Sequence, residues 1–255
     1  MRSAQSTSWT RTAKETKEGE FARQRPDRKY DGDEPRRWTP IDIVTITKEL
    51  RELPVATLGG MLKSLTIMEP EIKAMVPGPR AVGRAFTVKC YPNSIITLHK
   101  ALYEAVPGRV LVVDGESDSR GALMGEVMAT EAINRKVAGI VVDGAIRDIG
   151  GLRRLEYPVF ARTINARVGT NPRMGFLQIP ITCGGILVNP GDWIVADDEG
   201  VAAIPPGEVE RVIEEAKADI IVEEEILEEM KTGRPLADIM DLEFSRAKSK
   251  EGGDN

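Results

Sequence analysis

From Ile41 onward, apolar residues recur at regular spacings; before it they do not. Residues 41–64 carry a helical spacing interrupted at Pro54, which predicts two short helices, since proline breaks the helical hydrogen-bond ladder. Arg84–Tyr91 (RAFTVKCY) alternates with period two and predicts a strand, and Ile95–Ala105 predicts a helix. Val110–Asp114 (VLVVD) and Ile140–Asp143 (IVVD) are apolar runs that each end in Asp-Gly. Between them, Gly121–Lys136 places Leu123, Val127, Met128, Ala132 and Ile133 at helical spacing. That strand–helix–strand unit predicts neighbouring parallel strands joined by a right-handed crossover. Asp148–Leu155 reads as a short helix and Pro158–Ala161 as a strand. Residues 179–204 read as short strands punctuated by Gly184-Gly185 and Asn189-Pro190-Gly191-Asp192. A closing helix runs from Pro206 to Lys231, with Glu208, Glu210, Glu214 and Glu215 near its positive end, until Gly233-Arg234-Pro235 breaks it. Helices around a mixed sheet predict one α/β domain over residues 41–245, with a flexible end at 246–255.

Residues 1–40 are a different material, with ten basic and seven acidic residues and widely spaced Trp9, Phe21, Tyr30 and Trp38. Such a segment cannot bury enough surface to offset its ordering entropy, so it reads as a disordered tail. The alternative is an arm that wraps a neighbouring subunit. A net charge of -5 excludes a general nucleic-acid binder, whose phosphate contacts need a basic face. No apolar run of membrane-spanning length and no secretory h-region occurs, so the expected partners include neither nucleic acid nor membrane and the expected place is the cytoplasm. Cys90 and Cys183 form no CxxC pair, which suits two buried reduced thiols.

Parallel strands end in loops that meet helix N-termini, where small-molecule sites gather. One such loop leads from Asp114 into Arg120-Gly-Ala-Leu-Met-Gly-Glu126, and the other reads Gly144-Ala-Ile-Arg147-Asp148. If the strands are neighbours, Glu126, Arg147 and Asp148 share a crevice. Two carboxylates suit a hard divalent ion such as Mg²⁺ or Mn²⁺, and the arginine fork suits a 2-oxo acid. The simpler reading is a salt bridge at a helix start, with Asp148 acting only as a cap.

The strings GRAFTVKC (83–90), HKAL (99–102), RVLVVDG (109–115), GEVMATEA (125–132), VAGIVVDGAIRD (137–148), YPVFAR (157–162) and NPGDWIVADDEGVAAIP (189–205) together resemble the RraA-like family. That family includes 4-hydroxy-4-methyl-2-oxoglutarate aldolases. An acidic residue, twenty intervening residues and then Arg-Asp is the aldolase signature, and Glu126…Arg147-Asp148 meets its spacing. The resemblance implies a swivelling β/β/α domain, assembled as a homotrimer or dimer of trimers with sites between subunits. It implies that Asp148 holds the metal, that Arg147 binds the oxo acid, and that amides in the Gly125, Val127, Met128 stretch cradle its carboxylate. Glu126, read as the base that takes the substrate's C4 hydroxyl proton through a water, with metal ligation as its alternative role, stands where better-studied aldolases carry Asp. The implied activity is metal-dependent retro-aldol cleavage to pyruvate, with oxaloacetate decarboxylation alongside. A family branch that inhibits the endonuclease RNase E without catalysis is the alternative, and a methyltransferase label used for some members lacks any glycine-rich nucleotide loop here.

Other candidates are expected to be structural. His99, the single histidine, reads as a packing residue, and Asp197-Asp198-Glu199-Gly200 as a hairpin turn rather than a metal cluster. Gly184-Gly185 and Gly150-Gly151 lack phosphate-loop spacing. Glu223–Glu225 reads as a solvated helix face, but the resemblance implies that a C-terminal glutamate, Glu223 or Glu224, enters the adjacent subunit's site.

Overall fold

A computed structural model describes residues 39–62 and 66–242. The expectations for residues 1–38 and 243–255 lie outside these. Helix α1 (Pro40–Glu52) starts one residue before the periodic pattern, because Thr39 and Asp42 form a reciprocal capping box and proline occupies the first turn. Pro54 separates it from α2 (Val55–Met61), as the spacing predicted.

Next come β1 (Lys73–Ala74), β2 (Ala81–Lys89), α3 (Ile96–Glu104), β3 (Arg109–Met124), α4 (Glu126–Asn134), β4 (Gly139–Ile146), α5 (Ile149–Leu155) and β5 (Val159–Ile164). The short strands β6 (Phe176–Leu177), β7 (Ile181–Cys183) and β8 (Ile186–Val188) precede β9 (Trp193–Asp197) and β10 (Gly200–Ile204). Helices α6 (Val209–Lys231) and α7 (Leu236–Ile239) close the described chain. The main sheet runs β1-β5-β4-β3-β2-β9-β10, with β6 added beside β2. Its centre, β2 to β5, is parallel, and β1, β6, β9 and β10 are antiparallel additions. This is the mixed sheet flanked by helices that the pattern predicted.

Three apolar clusters hold the layers. Helices α3, α4 and α5 bury Leu98, Leu102, Ala129, Ala132 and Leu152 on one sheet face, against Leu111, Val113, Ile140 and Val142. The β7–β8 hairpin lays Ile181, Cys183, Ile186 and Val188 on the other face, against Val110, Val112, Val141 and Phe160. Helices α1, α2 and α6 cover the β9–β10 end around Trp193. Strand β4 is buried along its whole length, which explains its unbroken apolar run.

Strand β3 departs from expectation. Its apolar run stops at Asp114 and the spacing predicts a helix from Gly121, yet the strand continues to Met124 and the helix starts at Glu126. The polar stretch Glu116–Arg120 is a bulged interruption, with register shifts between Asp114 and Asp118 and again before Ala122. The Asp114 carboxylate accepts from the Glu116 amide at 2.9 Å, and Asp118 accepts from the Arg120 amide at 3.1 Å. These local turns let Ala122–Met124 return to the sheet beside Ala145–Ile146. The strand can therefore carry Glu126 to the edge of β4's own end.

Cys90 and Cys183 are free and buried, in the clusters on opposite faces of the sheet. The Asp197–Gly200 segment is the β9–β10 hairpin turn, with Asp197 accepting from the Glu199 amide at 3.0 Å. His99 corrects its expectation, because it lies on the exposed side of α3 and packs into no core cluster. Among the described residues no helix is long and apolar enough to cross a membrane.

Candidate active site at the ends of β3 and β4

The ends of β3 and β4 are stitched together by the Arg147 amide, which donates to the Met124 carbonyl at 2.9 Å. The chain then turns from β4 into α5 at Asp148, which adopts the left-handed conformation with φ 58° and ψ 40°. Aspartate tolerates that region better than most residues, but a non-glycine held there is a mark of local constraint. Its side chain makes no helix-capping bond, so the simple capping role fails. Instead the Asp148 carboxylate receives Arg147 Nε at 3.2 and 3.1 Å. The Arg147–Asp148 salt bridge of the simpler reading is thus present. Because Nε makes it, the two Nη groups of Arg147 meet no acceptor among the described residues.

Gly125 faces this pair. A Cβ at Gly125 would collide with the Asp148 carboxylate and come within 3.0 Å of Arg147 Cγ, so only glycine lets α4's start lie against the pair. Gly125 also brings no capping side chain, which leaves the first-turn amides of α4, including those of Val127 and Met128, open to an incoming anion. Val127 is 80% exposed beside them, while Met128 is buried.

Glu126 takes a direction that the sequence did not reveal. Its carboxylate lies over Gly151 of α5, where a Cβ would overlap it, and it accepts from Arg154 Nη2 at 3.2 Å. Glu126, Arg147, Asp148, Gly125 and the α4 amides are therefore brought together; Gly151 and Arg154 were missed. A glycine three residues after Asp148 and an arginine on the next turn of a short helix were the available signals. Both are too common to stand out alone.

Glu223 and Glu224 are exposed on α6, and no hydrogen bond or ion pair joins either to this group within one chain. Among the described residues no cluster of three or more His, Cys, Asp or Glu side chains could hold a metal. Any ion at Asp148 would keep most of its ligand sphere as water or substrate oxygen, which is how Mg²⁺ is commonly bound.

A second charged group lies further back on the same strands. Lys89, Asp114 and Asp143 stand in register across β2, β3 and β4, and Arg162 reaches Asp143 from β5, where the β4–β5 ladder is irregular. Lys89 pairs with Asp114 at 2.9 Å, and Arg162 with Asp143 at 2.6 Å and Glu69 at 2.7 Å. The Asp143 bond, then that to Glu69, raises the Arg162 guanidinium well above its ordinary value against the pull of burial. Asp143 also accepts from the Gly184 amide of the β7–β8 hairpin at 2.8 Å, so this row ties the hairpin to the sheet rather than offering open valences.

A mixed α/β sheet here ends in a crevice where Gly125 packs against the Asp148 carboxylate and Arg147 pairs with it. The chain belongs to the RraA-like family: the family model described as Aldolase/RraA matches residues 52–203. It is 37% identical over 177 residues to a Halalkalibacterium halodurans protein named "Putative 4-hydroxy-4-methyl-2-oxoglutarate aldolase", covering 69% of this chain and 83% of that one. An uncharacterized protein from Pseudomonas syringae superposes with a TM-score of 0.72 at 29% identity, over 81% of this chain and 97% of that one. A Streptomyces coelicolor protein, titled an unusual member of the RNase ES inhibitor RraA family, gives 0.65 at 26% identity, over 73% and 98%. The RraA-like fold expected from the motifs is the fold observed.

Proposed function

We propose that this protein is a divalent-metal-dependent lyase that cleaves a 4-hydroxy-2-oxo diacid, such as 4-hydroxy-4-methyl-2-oxoglutarate, to pyruvate. The observation that carries this reading is the packing of Gly125 against Asp148 and the stem of Arg147 at the uncapped start of α4. The α4 amides and the Arg147 fork suit the two ends of a 2-oxo carboxylate. Asp148 would be the protein ligand of an Mg²⁺ or Mn²⁺ ion, with water or substrate oxygen completing its sphere. When bound, such an ion supplies Lewis acidity at the 2-oxo group.

The residues divide the remaining work. The Val127 and Met128 amides orient the substrate's 1-carboxylate. Glu126, acting through a water, accepts the proton of the C4 hydroxyl, and the new C4 carbonyl forms as the C3–C4 bond breaks. The bonding electrons pass to C3 and the 2-oxo oxygen as pyruvate enolate, whose charge Arg147 faces where it develops. Protonation at C3 completes pyruvate. Oxaloacetate would reach the same enolate by loss of CO₂, with no hydroxyl proton to remove. Arg154 holds the Glu126 carboxylate in place while leaving it in reach of water.

The reading extends to the assembly. In a homotrimer or dimer of trimers, Glu223 or Glu224 would reach a neighbour's crevice. The second half of α6, with Ile221, Val222, Leu227 and Met230 exposed, supports burial of that segment against another copy.

A panel of 4-hydroxy-2-oxo diacids and oxaloacetate, with pyruvate detected by a coupled dehydrogenase, tests the proposal. Pyruvate release should need Mg²⁺ or Mn²⁺, stop with EDTA and return when metal is restored. Release that survives exhaustive chelation would remove the metal from the proposal. No release from any substrate would favour the other family role, a binding protein that regulates a ribonuclease.

A further inference from the structure

The amino ends of the same parallel strands border a second recess, at the opposite ends of the strands from Glu126. A cavity of about 560 Å³ lies between α1 and the starts of β2, β3 and β4. Its walls include Ile43 and Val44 of α1, Val82 of β2, and Val106 and Pro107 before β3. Arg84 and Arg109 both line it, and they are direct register partners on adjacent parallel strands. Lys48 and Arg51 of α1 add two more cations, and no acidic residue lines the cavity.

Like charges directly opposed on a sheet destabilise it unless something offsets them. Arg84 is fixed by Nε donation to the Gly191 carbonyl at 2.9 Å. Among the described residues, no acceptor meets the Arg109 guanidinium, and neither Lys48 nor Arg51 is in an ion pair. The acid whose field reaches Arg84 is Asp192, whose carboxylate is already engaged by the Asn189 amide at 2.7 Å. Burial, and then Arg109, push the Arg84 guanidinium below its ordinary value, and burial does the same to Arg109. Solvent screening would settle such a pair more cheaply if both side chains reached open water, but both are half-buried at an apolar wall. A bound anion would neutralise both.

We propose that this recess binds a small organic oxyanion, a carboxylate or phosphate ester on a short apolar body, gripped between Arg84 and Arg109. Guanidinium forks match either head group in two-point fashion, and the aliphatic wall selects against a bare inorganic ion. The volume lies within the range of small-molecule pockets, about 300–1,000 Å³. The inference stands apart from the lyase reading, since it uses none of that site's residues.

The test titrates the full chain with butyl phosphate, butyrate, inorganic phosphate and sodium chloride at matched ionic strength, reading heat and melting temperature. At least one organic anion should bind, more tightly than inorganic phosphate, and raise the melting temperature by a few degrees beyond the chloride control. Arg109→Met keeps the aliphatic stem and should weaken binding by about tenfold or more, the worth of one charge-assisted contact. Arg147→Met should bind like the parent, which excludes the Glu126 crevice as the place of binding. With no ligand present, Arg109→Met should melt at or above the parent temperature, because a repulsion has been removed. The proposal is overturned if chloride reproduces the stabilisation, if Arg109→Met binds undiminished, or if Arg147→Met is the variant that loses binding. It is also overturned if Arg109→Met alone melts well below the parent, since Arg109 would then be structural.

Discussion

At the carboxyl ends of β3 and β4, each charge has an opposite: Arg147 holds Asp148 at 3.1 Å, and Arg154 holds Glu126 at 3.2 Å. At the amino ends, Arg84 stands in register with Arg109, and every charged residue lining the cavity between them and α1 is a cation. Both ends are built on the same buried strands and both carry arginine. They differ in whether the protein supplies the counter-charge itself. The paired end is poised, because exposed ion pairs are worth only about 0–1 kcal/mol and a ligand can displace or join them at little cost. The unpaired end has no acidic residue in its lining, so the counter-charge is assigned to a bound anion. A residue's type thus says less about its role than the partners that the fold gives it.

The comparison yields its largest expected effect at Glu126. Glu126→Gln should lower aldol cleavage by about 10²–10⁴-fold, the usual worth of a positioned base. Oxaloacetate decarboxylation, which has no hydroxyl proton to remove, should fall far less. If both reactions collapse together and added Mg²⁺ partly restores them, Glu126 is a metal ligand and not the base. Arg147→Lys should also lose most activity, since lysine is a point charge that cannot span two oxygens. Near-native turnover in that variant would make the Arg147–Asp148 pair structural.

Gly125→Ala probes the same end through sterics alone. The new Cβ meets the Asp148 carboxylate, and a misplacement near 1 Å costs about 10²-fold in rate. The Gly125 backbone is extended, with φ −156°, so alanine fits it and the melting temperature should barely change. A large drop in melting temperature with turnover retained would show that the glycine serves packing.

Arg154→Ala should be milder still. Its side chain is 72% exposed, so losing the pair with Glu126 should reduce turnover by no more than about fivefold. A loss of tenfold or more would mean that Arg154 touches the substrate itself.

The smallest effect concerns the thiols between the two ends. Burial pushes the Cys90 thiol up to about 12 and raises Cys183 well above its ordinary value. Each stays protonated in the folded state at pH values where a free thiol, near 8.5, would ionise. Their contribution to stability is therefore complete below that value and declines as pH rises toward 12. Alkylation at pH 8 should be slow in the native protein and fast once it is unfolded. Rapid native labelling would show that one of these sites opens.

Much of the molecule was legible without its tertiary structure. Apolar period and proline placement determined α1, α2, the core strands and the β9–β10 hairpin, because burial and backbone chemistry act over a few residues. The spacing of Glu126 from Arg147-Asp148 determined which side chains could meet, since a strand–helix–strand crossover brings successive strand ends together. What the chain order could not encode was distance across it. The continuation of β3 through Glu116–Arg120 depends on β4 waiting beside Ala122 to pair with it. Gly125 and Gly151 matter only because Asp148 and Glu126 arrive in the space that a Cβ would fill. The opposition of Arg84 and Arg109, 25 positions apart, is a fact of sheet register. Packing and register are set by the whole domain at once, so no local pattern announces them.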